Sequence, residues 1–205
     1  MANARLKLIS PVTVNRTMPL RRPNSELRTR EHLTEPEMER LIDAAKHNRL
    51  GHRDATMLLV CWRHGLRAAE LCDLRWEQVS FETAVLHVRR LKHGIPSTHP
   101  LTGRELRALR KLQRDATSPF MFVSNRGAPM SPAGFARMIE RAAKAAGLTE
   151  IKPHPHALRH ACGYALASRG TDTRTIQAWL GHANIQHTTK YTALSPTRFR
   201  DIWRD

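Results

Sequence analysis

Residues 180–191 read Leu180-Gly181-His182-Ala183-Asn184-Ile185-Gln186-His187-Thr188-Thr189-Lys190-Tyr191, and the rest of the chain is read outward from them. Gly181 behind an apolar residue is a helix-stop signal, and a histidine follows at once. Tyr191 is one of only two tyrosines in 205 residues. A phenol is a poor nucleophile at neutral pH and becomes useful only where cations converge on the group it attacks. Two clusters upstream supply such cations. One is His154-Pro155-His156-Ala157-Leu158-Arg159-His160, and the other is Gly65-Leu66-Arg67-Ala68-Ala69-Glu70-Leu71.

The segments between these clusters are mostly helical in pattern. Thr34-Glu35-Pro36-Glu37 is a capping box that opens a helix with Met38, Leu41, Ile42 and Ala45 on one face. An apolar helix over about 51–63 is central, and Gly65 is its left-handed stop. A strand is predicted over 84–88, a turn at Leu91-Lys92-His93-Gly94, and an edge strand from Pro96 to Pro100. Thr102-Gly103-Arg104-Glu105 opens a helix to about Arg114, Phe120 to Val123 reads as a short strand, and Ser131-Pro132 starts a helix ending at Gly147. From about 155 onward four short helices are expected, broken at Gly170, around Gly181 and at Ser195-Pro196. The fold class is therefore mainly α with a small antiparallel β-hairpin sheet.

Residues 1–30 differ. They hold seven cations, one acid and three prolines without helical period. They read as a basic arm, disordered without DNA, ahead of one folded domain over 31–205; a solvated tail is the plainer account. Over the whole chain Lys plus Arg is 34 against 18 acids, a formal charge of +16 and a pI of about 11.2, with 27 of the cations arginine. A chain this basic repels itself unless a polyanion is near, and arginine's planar fork suits phosphate. Nucleic acid is the first partner to consider. Cys61, Cys72 and Cys162 form no C-x-x-C pair, which fits a reducing compartment. No apolar run reaches membrane-spanning length and no signal peptide is visible, so a cytoplasmic location with no membrane partner is expected.

The ordered boxes Gly65–Leu71, Lys92 in its turn, His156-x-x-Arg159, and Leu180-Gly181-His182 with Tyr191 nine residues on resemble the active-site boxes of the tyrosine site-specific recombinases, the phage integrase family. The likeness covers roughly residues 31–200. It is nearest to the short recombinases that invert fimbrial promoters, which also carry Arg-Leu-Lys before a glycine, Thr-His-Pro-Leu after it and a His-Pro-His run. Larger integrases place a separate helical core-binding domain before the catalytic one. Only about thirty residues precede the first helix here, so no such domain is expected.

The resemblance implies the tyrosine recombinase catalytic-domain fold and assigns roles. Arg67 and Arg159 would hold the non-bridging oxygens of the scissile phosphate. Tyr191 would attack phosphorus and remain as a 3′-phosphotyrosine. His156 would help take the phenol proton, His182 would donate to a phosphoryl oxygen, and Lys92 would protonate the departing 5′ oxygen. Glu70, three residues after Arg67 and on the same face if a helix runs there, would orient an arginine or a histidine. No cofactor and no metal are implied; His154, His156, His160 and Cys162 suggest metal ligands, but His156 and His160, four residues apart, lack a third ligand at any standard zinc spacing. The partners implied are double-stranded DNA with inverted-repeat sites and three further copies of the chain in a homotetramer on DNA. DNA-bending accessory proteins are also compatible. Two other readings stay open. A type IB topoisomerase shares the chemistry but relaxes any supercoiled plasmid alone, and a non-enzymatic DNA-binding regulator would form no covalent adduct.

Overall fold

The computed structural model describes residues 32–91 and 94–192. The basic arm, the tip of the hairpin at Lys92 and His93, and the last expected helix lie outside these residues. Eight α-helices and one three-stranded sheet make up the described part: α1 Glu35–Lys46, α2 Gly51–His64, α3 Ala68–Cys72, a 3₁₀ turn Trp76–Gln78, β1 Val79–Ser80, β2 Val85–Val88, β3 Ser97–Pro100, α4 Gly103–Arg114, α5 Pro132–Ala145, α6 Pro155–Ser168, α7 Thr173–Leu180 and α8 Gln186–Thr192. Among them no helix is long and apolar enough to cross a membrane.

Two helix starts follow the capping boxes read from the sequence. The Thr34 N–H donates to Glu37 Oε2 at 2.7 Å, and Thr102 makes the same box with Glu105 at 2.9 Å. Helix α2 is buried almost all round, so it is the central element. It packs against α1, α4 and α6. It ends at Gly65, in the left-handed region at φ 56°. A side chain there is excluded twice over, by backbone and by space: a Cβ would sit 3.2 Å from Cys162 Sγ and closer still to Leu180.

The sheet runs β1-β2-β3, antiparallel throughout, with Leu86 paired to Val79 on one side and His99 on the other. The strand expected from Ala84 opens one residue later, because Ala84 is left-handed at φ 54°. The short strand expected at Phe120–Val123 does not form. Met121 N–H bonds Leu74 O at 2.8 Å, while Met130 N–H bonds Phe122 O at 2.9 Å. The segment thus divides its backbone bonds between two different neighbours, and only isolated bridges result. Met121 and Phe122 still bury, as apolar anchors of the core.

Candidate active site

The site forms where α2 and α7 end side by side. Both stop at a left-handed glycine, Gly65 and Gly181, and a helix C-terminus exposes carbonyls carrying partial negative charge. Two buried guanidiniums satisfy them. Arg159, on α6 and only 1% exposed, donates through Nη1 to Gly65 O and through Nη2 to Leu180 O, the latter at 2.7 Å. Arg90, just after β2, donates to His64 O at 3.2 Å, to Gly65 O at 3.4 Å and to Trp179 O. Burial, together with the charges of Arg90 and Arg67, pushes Arg159 down to about 10. It stays a cation at neutral pH.

One carboxylate balances this cluster. Glu70 is buried on α3, and burial alone would raise its pKa. The Arg67 backbone and side chain, the Arg90 charge and the Leu91 N–H together hold it below the usual carboxylate range. Arg67 Nη1 donates to Oε1 at 2.6 Å, Arg67 N–H to Oε2 at 2.9 Å, Arg90 Nη1 to Oε2 at 3.1 Å and Leu91 N–H to Oε1 at 3.1 Å. Glu70 therefore fixes Arg67, whose side chain remains 27% exposed. A partly exposed guanidinium tethered at one end is free to present its other donors to an anion.

Tyr191 lies on the other side of Arg159. Its ring covers Gly163, one turn along α6, where an added Cβ would sit 2.7 Å from the ring's Cζ. It meets Tyr164 edge-on at 5.1 Å between centroids. Tyr191 Oη is 2.8 Å from Nδ1 of His160, the residue next to Arg159. His156, one turn earlier, meets His160 edge-on at 4.5 Å. Burial, and then Lys190 and Arg159, lower the pKa of His156. His182 Nδ1 pairs with Thr188 Oγ1 at 2.8 Å, and burial followed by the charges of Arg159 and Arg67 takes it to about 3. Both imidazoles are neutral at pH 7.

Of the six residues singled out in the sequence, Arg67, Arg159 and His182 sit at the ends of α2 and α7, and His156 and Tyr191 meet the same face of α6 through His160. The sixth, Lys92, is outside the described residues. Two neighbours were not singled out for these positions. Arg90 shares the alternation of buried Leu86 and Val88, and an arginine in an inward register needs buried acceptors; that parity was the available signal. His160 was weighed only as a metal ligand, though it follows His156 by one helical turn. This second histidine is a hydrogen-bond partner of Tyr191 Oη.

The chain matches the phage integrase family over residues 31–198. It is 41% identical over 180 residues to the type 1 fimbriae regulatory protein FimB of Escherichia coli (strain K12), covering 85% of this chain and 90% of that one. FimE of the same strain is 39% identical over 181 residues, covering 85% and 91%. The crystal structure of XerA recombinase superposes with a TM-score of 0.71 at 31% identity, over 82% of this chain and 62% of that chain.

Proposed function

This chain belongs to the phage integrase family and is a tyrosine site-specific recombinase, a DNA breaking-rejoining enzyme, and on that premise we propose that it links DNA to Tyr191 as a 3′-phosphotyrosine and inverts a segment between inverted repeats. The observation that carries the reading is the convergence of Tyr191, Arg159, Arg67 and His182 on the paired helix ends. Arg67 and Arg159 offer N–H donors where charge develops on the phosphate. His182, neutral and held by Thr188, keeps a ring N–H available for a phosphoryl oxygen. His156 is the base for the phenol proton and Lys92 the acid for the 5′ oxygen. The phosphotyrosine conserves the phosphodiester's energy, so rejoining needs no nucleotide cofactor.

Inversion, rather than integration or excision, rests on the likeness to the short fimbrial invertases. Exchange of two duplexes requires four active sites, hence a homotetramer assembled on DNA, in the cytoplasm where the DNA is. The basic arm over 1–30 adds phosphate contacts outside the catalytic domain.

A suicide substrate nicked near the cut site tests the chemistry. Wild type should form a covalent adduct, and Tyr191→Phe should bind the DNA and form none. An adduct persisting in that variant would move the nucleophile elsewhere, with Tyr164 next. Relaxation of a plasmid lacking paired sites would favour the topoisomerase reading.

A further inference from the structure

His160 lies between the phenol and a second cation. Its Nδ1 is 2.8 Å from Tyr191 Oη, and its Nε2 is 3.4 Å from Lys190 Nζ. An ammonium group has donors only. Nε2 must therefore accept, which places the imidazole proton on Nδ1 and aims it at the phenolic oxygen. Lys190 also stands over the Tyr191 ring, 5.1 Å from its centroid. Given the role of Tyr191 proposed above, we propose that His160 and Lys190 form a donor relay that stabilises the Tyr191 phenolate, both as it attacks and as it departs on rejoining.

The relay differs from a general base. Because the Oη lone pair facing His160 already accepts a hydrogen bond, the phenolic proton points elsewhere and leaves to the base assigned above, His156. The O–P bond to Tyr191 then forms, the P–O5′ bond breaks, and the 5′ oxygen takes its proton from Lys92. His160 gains and loses no proton in the step. Burial and the neighbouring charge of Lys190 hold its own protonation down to about 3, in keeping with a donor that stays neutral. On rejoining, the same N–H receives the charge returning to the phenolate. Arg159 and Tyr164 also face Tyr191, and His156 meets His160 edge-on; the relay adds to the field of Arg159.

Two tyrosines make this measurable in the intact chain without DNA. Tyrosine labelled with ¹³C at Cζ gives two signals, assigned by Tyr191→Phe. Lys190 is exposed, so Lys190→Met should fold normally. It should raise the Tyr191 phenol pKa by about one unit, equivalent to a tenfold loss of phenolate at a given pH. Lys190→Arg should leave it near the wild-type value. His160→Asn keeps a donor at the Nδ1 position and should fall between wild type and His160→Leu. The pH–rate profile for adduct formation should move up by the same amount, so that Lys190→Met is about tenfold slow at pH 7 and recovers at high pH. An unchanged Tyr191 titration in both Lys190→Met and His160→Leu would overturn the relay. A lowered Tyr191 pKa in His160→Leu would also overturn it and make His160 a base. Absence of any wild-type adduct would count against the proposed chemistry and leave the titration interpretable.

Discussion

Replacing Arg90 with methionine removes the cation that ties β2 to the ends of α2 and α7, and the structure sets the cost. Breaking one side of a buried ion pair costs about 3–5 kcal/mol when the partner is left alone. Here Glu70 keeps two bonds from Arg67 and one from Leu91, so the lower end applies. Gly65 O keeps Arg159. His64 O and Trp179 O lose the Arg90 donor, at roughly 1 kcal/mol each. Against this, burial penalises the charged guanidinium, and that penalty disappears with it. The net expectation is a loss of about 3 kcal/mol, large beside a typical domain stability of roughly 5–15 kcal/mol yet leaving the variant folded. Urea unfolding followed by tryptophan fluorescence measures it. Combining Arg90→Met with Glu70→Gln in a double-mutant cycle should give a coupling of about 1–3 kcal/mol. A single-variant loss below about 1 kcal/mol with no coupling would refute the reasoning, since the guanidinium would then be hydrated and its acceptors served by water.

Gly163→Ala should leave the fold intact but displace the Tyr191 ring, whose Cζ and both Cε atoms lie within 2.8 Å of the added methyl; adduct formation should fall on the order of a hundredfold, the scale of an ångström's misplacement, and an unaltered rate would show that the ring moves freely. His99, His160 and His182 are each held down to about 3 from 6.5, so the unfolded chain binds protons that the folded one refuses. Their stabilisation is complete above pH 6.5 and declines as pH falls towards 3, by about 2 kcal/mol per histidine at pH 5. Urea midpoints flat between pH 7.5 and pH 5 would contradict this. Deleting residues 1–30, with a net charge of 7 − 1 = +6, should reduce the slope of log K against log salt by about 3–4 if four cations meet phosphates; identical slopes in a salt titration would make the arm a solvated tail.

The helices and the site were legible to different degrees, for physical reasons. Capping boxes at Thr34 and Thr102 and the glycine stops at Gly65 and Gly181 announce helix ends because the backbone chemistry of an end is local. Met38, Leu41, Ile42 and Ala45 bury as their spacing requires. Phe120–Val123 has strand composition without forming a strand, because composition says nothing about whether one neighbour runs long enough to pair. The linkage of His64 to Glu105 at 2.8 Å and to His99 at 3.0 Å was likewise invisible, since each partner sits on a different element. Spacing nominated the residues around Tyr191. Choosing between His156 and His160 as its hydrogen-bond partner needed the helix α8 placed against α6.

The charge arrangement explains why such a site is stable before any phosphate arrives. Burial first, and then neighbouring cations, lower Arg159 (Arg90 and Arg67) and Arg90 (Arg67), and among the described residues Glu70 is the one carboxylate bonded to any of the three. Buried guanidiniums need hydrogen-bond acceptors to offset their desolvation and mutual repulsion. Adding further acids would neutralise the guanidiniums and leave them little attraction for a phosphate. Carbonyls at the ends of α2 and α7 solve both problems, because a helix C-terminus carries only a fractional negative charge. They accept from the Nη groups of Arg90 and Arg159 while leaving the local field positive. Glu70 then serves direction more than neutralisation: besides its bond from Arg90 it takes two from Arg67, the one member of the three whose side chain is partly exposed. Burial first, and then the same field, holds His156 and His182 neutral, so the site reaches neutral pH with arginine as its cation and imidazole as its uncharged donor or acceptor. That division follows from where two helices stop, and both stops are glycines that no other residue can replace without a clash against Cys162 and Leu180 at one end or Arg90 and Ile95 at the other.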